Sequence, residues 1–442
     1  MMRKQELSLV LITLAWGFLS SAWTMVSLPW SFVQIGWIAG PLIVLCFALA
    51  TFYTTHLLFK SESVSYLDAV RVHLGDSRVK FYKFFIYFNR FGAAISSTIS
   101  GSTCIMAIIR CNCLHRSGGD DPCHIKGIIY MISFGILEIF LSQIPELDKQ
   151  WWFSVFAAVM SFSYSTIGLG LGVSKIIENR GDIQGSWTGI DVLPNQKFWR
   201  VFAAVGNIAF GYSYFQILIE IQEKMKSPPP QSKSVKTAML ISVAVTTMYY
   251  LACGSLVYAA LGENSPGNPL MDFDFGFRNP FWLLDVANGA ILLHLAGVYQ
   301  TYSQPIFSAV EQTAARLFPH SSFVNAEVKI SIPMMSPPLR INGFRLVSRT
   351  AFVVVTTLFS TIFPFFTDVG GLIGALVFWP LNMYFPLEIY IAEDKIHKWC
   401  RKWIFLKMLS TLFLLVSIGA AVACFAAVIT DLMVYKPFSF SI

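Results

Sequence analysis

Charge is scarce in this sequence. Of its 442 residues, 13% are Asp, Glu, Lys or Arg and 55% are hydrophobic, and the mean hydropathy is +0.60. Soluble domains carry about 25% charged residues, so a soluble fold is excluded and the apolar surface requires lipid. A spanning helix takes roughly 20 apolar residues. The length therefore suits a bundle of such helices, and we expect one membrane domain over residues 1–442.

Motifs of enzymes, channels and nucleic-acid binders are missing as well. The apolar stretches contain no His-Glu-x-x-His, nucleophile elbow, paired metal ligands or filter-like run. The net charge of +7 comes from Lys and Arg at the ends of apolar stretches and does not form one basic face. We therefore expect neither an enzyme nor a channel, no metal, no nucleic-acid partner and no cofactor.

Eleven apolar stretches are long enough to cross a membrane. Numbered as spans 1 to 11, they cover residues 7–34, 38–59, 84–109, 127–144, 151–177, 199–221, 237–261, 282–317, 346–366, 369–391 and 403–432. Span 1 is too long for the apolar part of a signal peptide and lacks a cleavage site, so we expect it to be retained. The predicted fold class is an all-α polytopic membrane protein with 11 transmembrane helices.

Lys and Arg decide the orientation, because short loops rich in them stay in the cytoplasm. Most of the 32 Lys and Arg residues lie on the N-terminal side of the bundle, in loops such as 224–236 and 395–402. The N-terminus is therefore predicted to be cytoplasmic and the C-terminus extracellular. The loop 320–340 is predicted to be cytoplasmic and weakly ordered. The predicted extracellular loops are 110–126, 181–197 and 262–281.

Three cysteines share the loop after span 3. Cys111, Cys113 and Cys123 lie close to His115 and His124, so a zinc site and a disulfide that closes on Cys123 are both open. Because conditions outside the cell are oxidising, an extracellular loop favours the disulfide.

Ionisable residues inside the spans are functional candidates, since a charge in hydrocarbon is costly. Five residues meet this description: Arg90, Glu138, Asp285, His294 and Glu388. Arg90 and His294 are our candidates for proton coupling. The alternative is structural, with packing of the histidine and pairing or snorkelling of the charged groups.

The middle of span 6 combines helix-weakening and polar residues: Gly206, Asn207, Gly211, Tyr212 and Ser213. This pattern predicts a broken helix, whose freed ends bind a substrate carboxylate or a coupling ion. Close packing at small residues is the alternative. Span 3 has a similar small and polar face that includes Gly101, and span 5 has three glycines, for which we favour packing.

Several segments resemble the plant amino acid permeases of the amino acid/auxin permease family. The sequence Ile-Gly-Trp-Ile-Ala-Gly-Pro at 35–41 is similar to the first-loop signature of that family. Further similar segments follow in the same order and spacing: 66–74, 110–123, 143–146, 158–172, 218–222, 299–307 and 384–392. The resemblance implies a leucine-transporter-type fold, with two inverted five-helix repeats and one extra helix. It also implies import of neutral and acidic amino acids with protons across the plasma membrane.

Two departures from the family pattern concern the site. Where the family has a Gly-Ser-Gly break in the first helix, the ungapped register places Ala22, Trp23 and Thr24. A second register aligns residues 17–20 with part of the motif and restores only one glycine. Asn207 stands where family members usually carry Asp, and an amide cannot titrate.

The resulting hypothesis is alternating-access symport, with the amino acid held between spans 1 and 6 and flanked by spans 3 and 8. The predicted substrate-binding residues are Trp23, Thr24, Gly101, Asn207, Phe210, Gly211, Tyr212, Ser213 and Asn288. The alternative, prompted by the altered first helix, is an amino acid sensor or a transport-impaired family member.

Overall fold

The protein folds into a helical bundle. The computed structural model describes residues 24, 27–58, 66–118, 123, 126–144, 151–213, 231–271, 279–330 and 339–435. Most of span 1, including Trp23, the second half of span 6 and His124 lie outside these residues. The predictions made for them are not addressed by the structure.

The described helices include long apolar ones in the regions of the predicted spans and two short ones, Tyr66–Leu74 and Ser322–Asn325, that lie outside them. Their bounds are Leu28–Leu58, Tyr66–Leu74, Asp76–Ser117, Gly127–Gln143, Trp151–Glu178, Pro194–Tyr212, Gln231–Leu261, Phe281–Leu317, Ser322–Asn325, Gly343–Ile362, Phe366–Phe378, Phe385–Glu393 and Arg401–Val434. Within the described part of the chain, eight helices are long and apolar enough to cross a membrane, and Gly127–Gln143 is a shorter apolar one. Span 10 consists of two helices joined by the π-helical segment Trp379–Tyr384.

Apolar side chains cover the outside of the bundle. On span 11, Met408, Leu412 and Leu415 are 67%, 58% and 62% exposed. Inside, Phe47 of span 2 lies 4.7 Å from Phe378 of span 10, measured between ring centroids. Since a soluble protein does not expose such a continuous apolar face, this surface faces lipid.

Spans 6 and 10 cross at glycines. A Cβ added to Gly374 would lie 2.4 Å from the backbone nitrogen of Phe210 and 2.5 Å from the carbonyl oxygen of Gly206. A Cβ on Gly206 would lie 2.7 Å from the carbonyl oxygen of Gly371. The two backbones are therefore in direct contact, and only glycine fits at this crossing.

The loop between spans 8 and 9 is more ordered than its composition predicts. Strands Glu327–Ile330 and Leu339–Asn342 pair antiparallel, with Glu327 opposite Asn342. The side chain of Asn342 caps span 9 by accepting from the backbone N–H of Arg345 at 3.1 Å, and its amide donates to Ala326 at 3.0 Å. Within the loop 320–340, a short helix and paired strands thus stand where a weakly ordered segment was predicted, with the capping Asn342 at its end, and residues 331–338 lie outside the described part of the chain.

The turn between spans 1 and 2 is clamped by the loop that follows span 5. Gly36 has φ of 90°, and the N–H groups of Trp37 and Ile38 donate to loop carbonyls at 3.3 and 3.4 Å. A Cβ on Gly36 would lie 2.3 Å from the backbone nitrogen of Gly189. The first glycine of the segment 35–41 is thus required both for its left-handed backbone and for this close approach.

Replacing Gly36 with alanine is expected to destabilise the protein. A residue with Cβ in the left-handed region costs about 1–2 kcal/mol, and the contact with Gly189 must open in addition. We expect a lower melting temperature of the purified protein, measured by fluorescence-detected size exclusion after heating. The matched control is Gly75→Ala, because Gly75 has φ of 86° but no atom within 4 Å of the added Cβ. An equal loss in both variants would contradict a role for the contact with Gly189.

The cysteine loop contains a disulfide between Cys113 and Cys123, whose Cα atoms are 6.1 Å apart. Cys111, the third candidate, is not part of it. Its sulfur is buried and lies 3.8 Å from the carbonyl oxygen of Phe281, because residues two apart on a helix point to nearly opposite sides. No group of His, Cys, Asp or Glu within the described residues is arranged to hold a metal.

Thiol labelling tests the predicted orientation. In intact cells, a membrane-impermeant maleimide is expected to label Cys113 and Cys123 only after a membrane-impermeant reductant has opened the disulfide. Cys400, a free cysteine in the loop between spans 10 and 11, serves as the control and is expected to react only after permeabilisation. Labelling of Cys400 in intact cells would contradict the predicted orientation.

Candidate functional site

Helical segments of spans 1 and 6 begin or end close to each other. In span 1, Thr24 is helical, Ser27 lies in a turn and the next helix begins at Leu28. In span 6, the helix ends at Tyr212, and the N–H of Ser213 donates to the carbonyl of Phe210 at 3.0 Å. The described helix of span 6 thus ends among the glycines and polar residues for which the sequence predicts a break, and residues 214–230 lie outside the described part of the chain.

The described segments of spans 1 and 6 meet at Gly211. A Cβ on Gly211 would lie 3.0 Å from Cγ2 of Thr24 and 2.8 Å from the hydroxyl of Tyr250. Thr24 and Tyr212 are both completely buried. The absence of a side chain at residue 211 therefore allows spans 1 and 6 to approach each other at Thr24, beside the end of the described helix of span 6.

Side chains from spans 7 and 10 satisfy the carbonyl groups at the end of span 6. The hydroxyl of Tyr250 donates to the carbonyl of Gly211 at 2.7 Å, and the side-chain amide of Asn382 donates to the carbonyl of Tyr212 at 2.7 Å. A helix end within a membrane needs such partners because lipid supplies none. Side chains of spans 7 and 10 thus supply the hydrogen bonds for these two carbonyl groups at the end of the helix.

Asn207 links the two broken helices. Its amide nitrogen donates to the hydroxyl of Ser31 at 2.9 Å and to the hydroxyl of Ser27 at 3.2 Å. All three residues are completely buried. Because an amide and two hydroxyls carry no net charge, this contact between spans 1 and 6 is neutral at every pH.

Two buried polar atoms beside the breaks have no hydrogen-bond partner among the described residues. They are the hydroxyl oxygen of Thr24 and Oδ1 of Asn382. Buried polar atoms in native proteins are nearly always satisfied by protein, water or ligand. Within the described residues, both atoms are therefore available for a further hydrogen bond.

Sequence reasoning missed four residues of this cluster: Ser27, Ser31, Tyr250 and Asn382. Asn382 had a recognisable signal, since Pro380 and Pro386 lie within one span and π-helical turns often accompany functional sites. The other three are common residue types in ordinary helical contexts, and nothing in the sequence marks them.

Gly101 and Asn288, also predicted for the substrate site, make packing contacts. A Cβ on Gly101 would lie 2.3 Å from the ring of Phe134 in span 4. The amide nitrogen of Asn288 donates to the carbonyls of Leu270 at 2.8 Å and Leu284 at 3.0 Å. The contacts found for these two residues therefore join spans 3 and 4, and span 8 to the loop after span 7.

The proton-coupling candidates occupy separate positions. His294 of span 8 is completely buried, with Nδ1 2.6 Å from the hydroxyl of Ser161 in span 5. Its Nε2 has no hydrogen-bond partner within the described residues. The guanidinium of Arg90 is buried and lies 5.7 Å from the centroid of the Tyr87 ring.

The two carboxylates near span ends have partners. Glu388 forms an ion pair with Lys407, and Asp285 accepts a hydrogen bond from Asn112 at 3.0 Å. These contacts agree with the structural alternative for both residues.

The helical bundle has the leucine-transporter-type fold. The crystal structure of MhsT in complex with L-phenylalanine shares this fold, with a TM-score of 0.53 and 11% identity over 93% of this chain and 98% of MhsT.

Sequence comparison identifies the family. The model of the transmembrane amino acid transporter proteins matches residues 14–430. Amino acid permeases 3 and 2 of Arabidopsis thaliana are 50% and 49% identical over 414 residues, covering 91% of this chain and 86% and 83% of theirs. The chain therefore belongs to the transmembrane amino acid transporter family, as a plant amino acid permease. It is a multi-pass transporter of amino acids and not an enzyme.

Proposed function

We propose that this protein is a proton-coupled symporter that imports neutral and acidic amino acids across the plasma membrane by alternating access. The observation that carries the proposal is the meeting of the two breaks at Gly211 and Thr24, beside unpartnered polar atoms of Thr24 and Asn382. Opposed helix breaks at mid-membrane are the places where transporters of this fold bind substrate and coupling ion.

The chemistry of the cluster suits the backbone of an amino acid. The hydroxyl of Thr24 can donate to the substrate carboxylate, and Oδ1 of Asn382 can accept from the substrate ammonium. Asn207, Ser27 and Ser31 add no charge, so a zwitterion meets no uncompensated group of either sign. The acidic part of the substrate range rests on the family resemblance.

Coupling to protons requires a titratable group outside this cluster, because Asn207 replaces the usual acid. His294 and Arg90 remain the proposed groups, and His294 has an open Nε2 in its buried site. The proton is the coupling ion, and we propose that no other cofactor takes part. Because substrate and proton move together, the inward proton gradient across the plasma membrane drives import.

Uptake of labelled amino acids in transport-deficient cells tests the proposal. At confirmed surface expression, uptake should be faster at acidic than at neutral external pH and should fall when a protonophore dissipates the gradient. Equal uptake at both pH values would contradict proton coupling, and amino acid transport itself would stand.

A sensor is the second candidate, and a specific feature favours it. The first helix has Ala22, Trp23 and Thr24 instead of Gly-Ser-Gly, and the methyl group of Thr24 faces Gly211 across the break. A sensor binds without transporting. Thermal stabilisation of the purified protein by amino acids, without uptake in cells, would support it, and the triple variant Ala22→Gly, Trp23→Ser, Thr24→Gly would then be expected to restore transport.

A further inference from the structure

A second buried polar site lies between spans 4 and 8, apart from the helix breaks. Glu138 of span 4 is 0% exposed, and its Oε2 accepts a hydrogen bond from the amide nitrogen of Gln300 in span 8 at 2.7 Å. The other oxygen, Oε1, has no hydrogen-bond partner among the described residues. The oxygen of the Gln300 side chain accepts from the amide of Gln304 at 3.1 Å.

Hydrogen bonds and ion pairs lead from Glu138 toward the surface. The Gln300 amide also donates to the hydroxyl of Ser142 at 3.0 Å, and the guanidinium of Arg349 donates to the carbonyl of Ser142. Arg349 is paired with Glu311 at 2.8 Å. The side chain of Arg349 is 5% exposed and that of Glu311 is 21% exposed, so the network opens at the side of the bundle predicted to be cytoplasmic.

Among the described residues, the side-chain partner found for the carboxylate of Glu138 is the neutral amide of Gln300. Span 8 faces it with Tyr299 and Gln300, and the hydroxyl of Tyr299 is bonded to Thr356 at 2.8 Å. On span 9 the nearby cations are Arg345 and Arg349, which share the carboxylate of Glu311 at 3.3 and 2.8 Å.

Span 3 contributes packing to the same region. It meets span 4 where Gly101 packs against Phe134, one turn from Glu138, and its charged residue Arg90 lies over the ring of Tyr87.

A buried carboxylate needs charge compensation and several donors, and Glu138 has one neutral donor. With a proton on Oε1, the group is neutral and keeps its hydrogen bond from Gln300. Glu388, by contrast, is an acid in a span with its own cation. Glu138 therefore lies in a site that suits the protonated form. Asp285 near the end of span 8 shares two of its features, a single amide donor and a carboxylate oxygen without a partner among the described residues.

We infer that Glu138 is a proton-binding site of the transport cycle, in addition to the groups named above. The inference rests on the proposed proton coupling. The proton binds to Oε1 of Glu138, and it leaves to water at the cytoplasmic side, where Arg349 and Glu311 reach the surface. Loss of the proton creates a charge between spans 4 and 8, and this charge favours a state in which water reaches the site.

Proteoliposome uptake of a labelled neutral amino acid tests this inference at acidic and neutral external pH. Three proteins are compared: the natural chain, Glu138→Gln, and Glu388→Gln, which makes the same substitution in span 10. In the state in which Glu138 is open to external water, and while that open site is mostly unprotonated, uptake that requires one bound proton changes about tenfold per pH unit. We expect this ratio for the natural chain and for Glu388→Gln, and a ratio near one for Glu138→Gln. Exchange of labelled for unlabelled substrate at equal pH should persist in Glu138→Gln, which shows that it is folded.

The outcomes separate the two proposals. If the natural chain is stimulated by acid and Glu138→Gln is stimulated equally, the inference is overturned and proton-coupled transport stands. If the natural chain shows no acid stimulation, proton coupling fails and the inference falls with it. Should Glu138→Gln not fold, Glu138→Asp decides. Its shorter carboxylic acid should keep acid stimulation at a shifted midpoint, and an unchanged midpoint would overturn the inference.

Discussion

Replacing Gly374 with alanine is expected to abolish folding and surface expression. The added Cβ would lie 2.4 Å from the nitrogen of Phe210 and 2.5 Å from the oxygen of Gly206. Both are backbone atoms of span 6, so no side chain can rotate away, and the two helices must separate. Overpacking a core costs typically about 1–3 kcal/mol. We expect a larger loss here, because the shift also pulls Phe210 away from the break next to it.

The matched control is Gly170→Ala in span 5, where the added Cβ has no atom within 4 Å. Because alanine is a better helix former than glycine by up to about 1 kcal/mol, this variant should express as well as the natural chain. Surface biotinylation and the monodispersity of the detergent-solubilised protein are the measurements. Normal expression of Gly374→Ala would show that the bundle tolerates a wider crossing of spans 6 and 10 than the structure has.

Residues with strong local signals were the predictable part of this molecule. Apolar runs predicted where helices lie, because a spanning helix needs only length and composition. The cluster around Gly211 predicted the break in span 6, since glycine and polar residues weaken a helix locally. From the sequence alone, Gly206 could either weaken the helix or allow close packing of two helices. The structure shows it packing against Gly371.

Partners from distant spans were not predictable. Tyr250 and Asn382 reach the end of span 6 from positions 39 and 170 residues away in sequence, and periodicity contains no information about such pairs. Similarly, the spacing of the three cysteines left both Cys111 and Cys113 open as partners of Cys123. The choice depends on the helix that continues to Ser117 and turns Cys111 toward span 8.

The second large effect is expected at Asn207. In Asn207→Leu, the hydroxyls of Ser27 and Ser31 lose the amide that joins them inside a completely buried contact, and Ser27 keeps its hydrogen bond to the carbonyl of Thr24. Each unsatisfied buried polar group costs roughly 1–3 kcal/mol. If this cost falls on the state that binds substrate, uptake should drop by about tenfold or more, since each 1.4 kcal/mol is about a factor of ten. Initial uptake rates, normalised to surface protein, measure the effect.

Asn207→Asp is the matched comparison, because it keeps the size of the side chain and replaces the amide with an acid. The two serine hydroxyls can rotate and donate to the carboxylate, so folding and uptake should survive. The carboxylate is buried between two helices, however, and its protonation changes the contact between spans 1 and 6. We therefore expect a steeper dependence of uptake on external pH than in the natural chain. An identical pH profile in both proteins, together with full uptake by Asn207→Leu, would mean that the link between the two broken helices does not take part in transport.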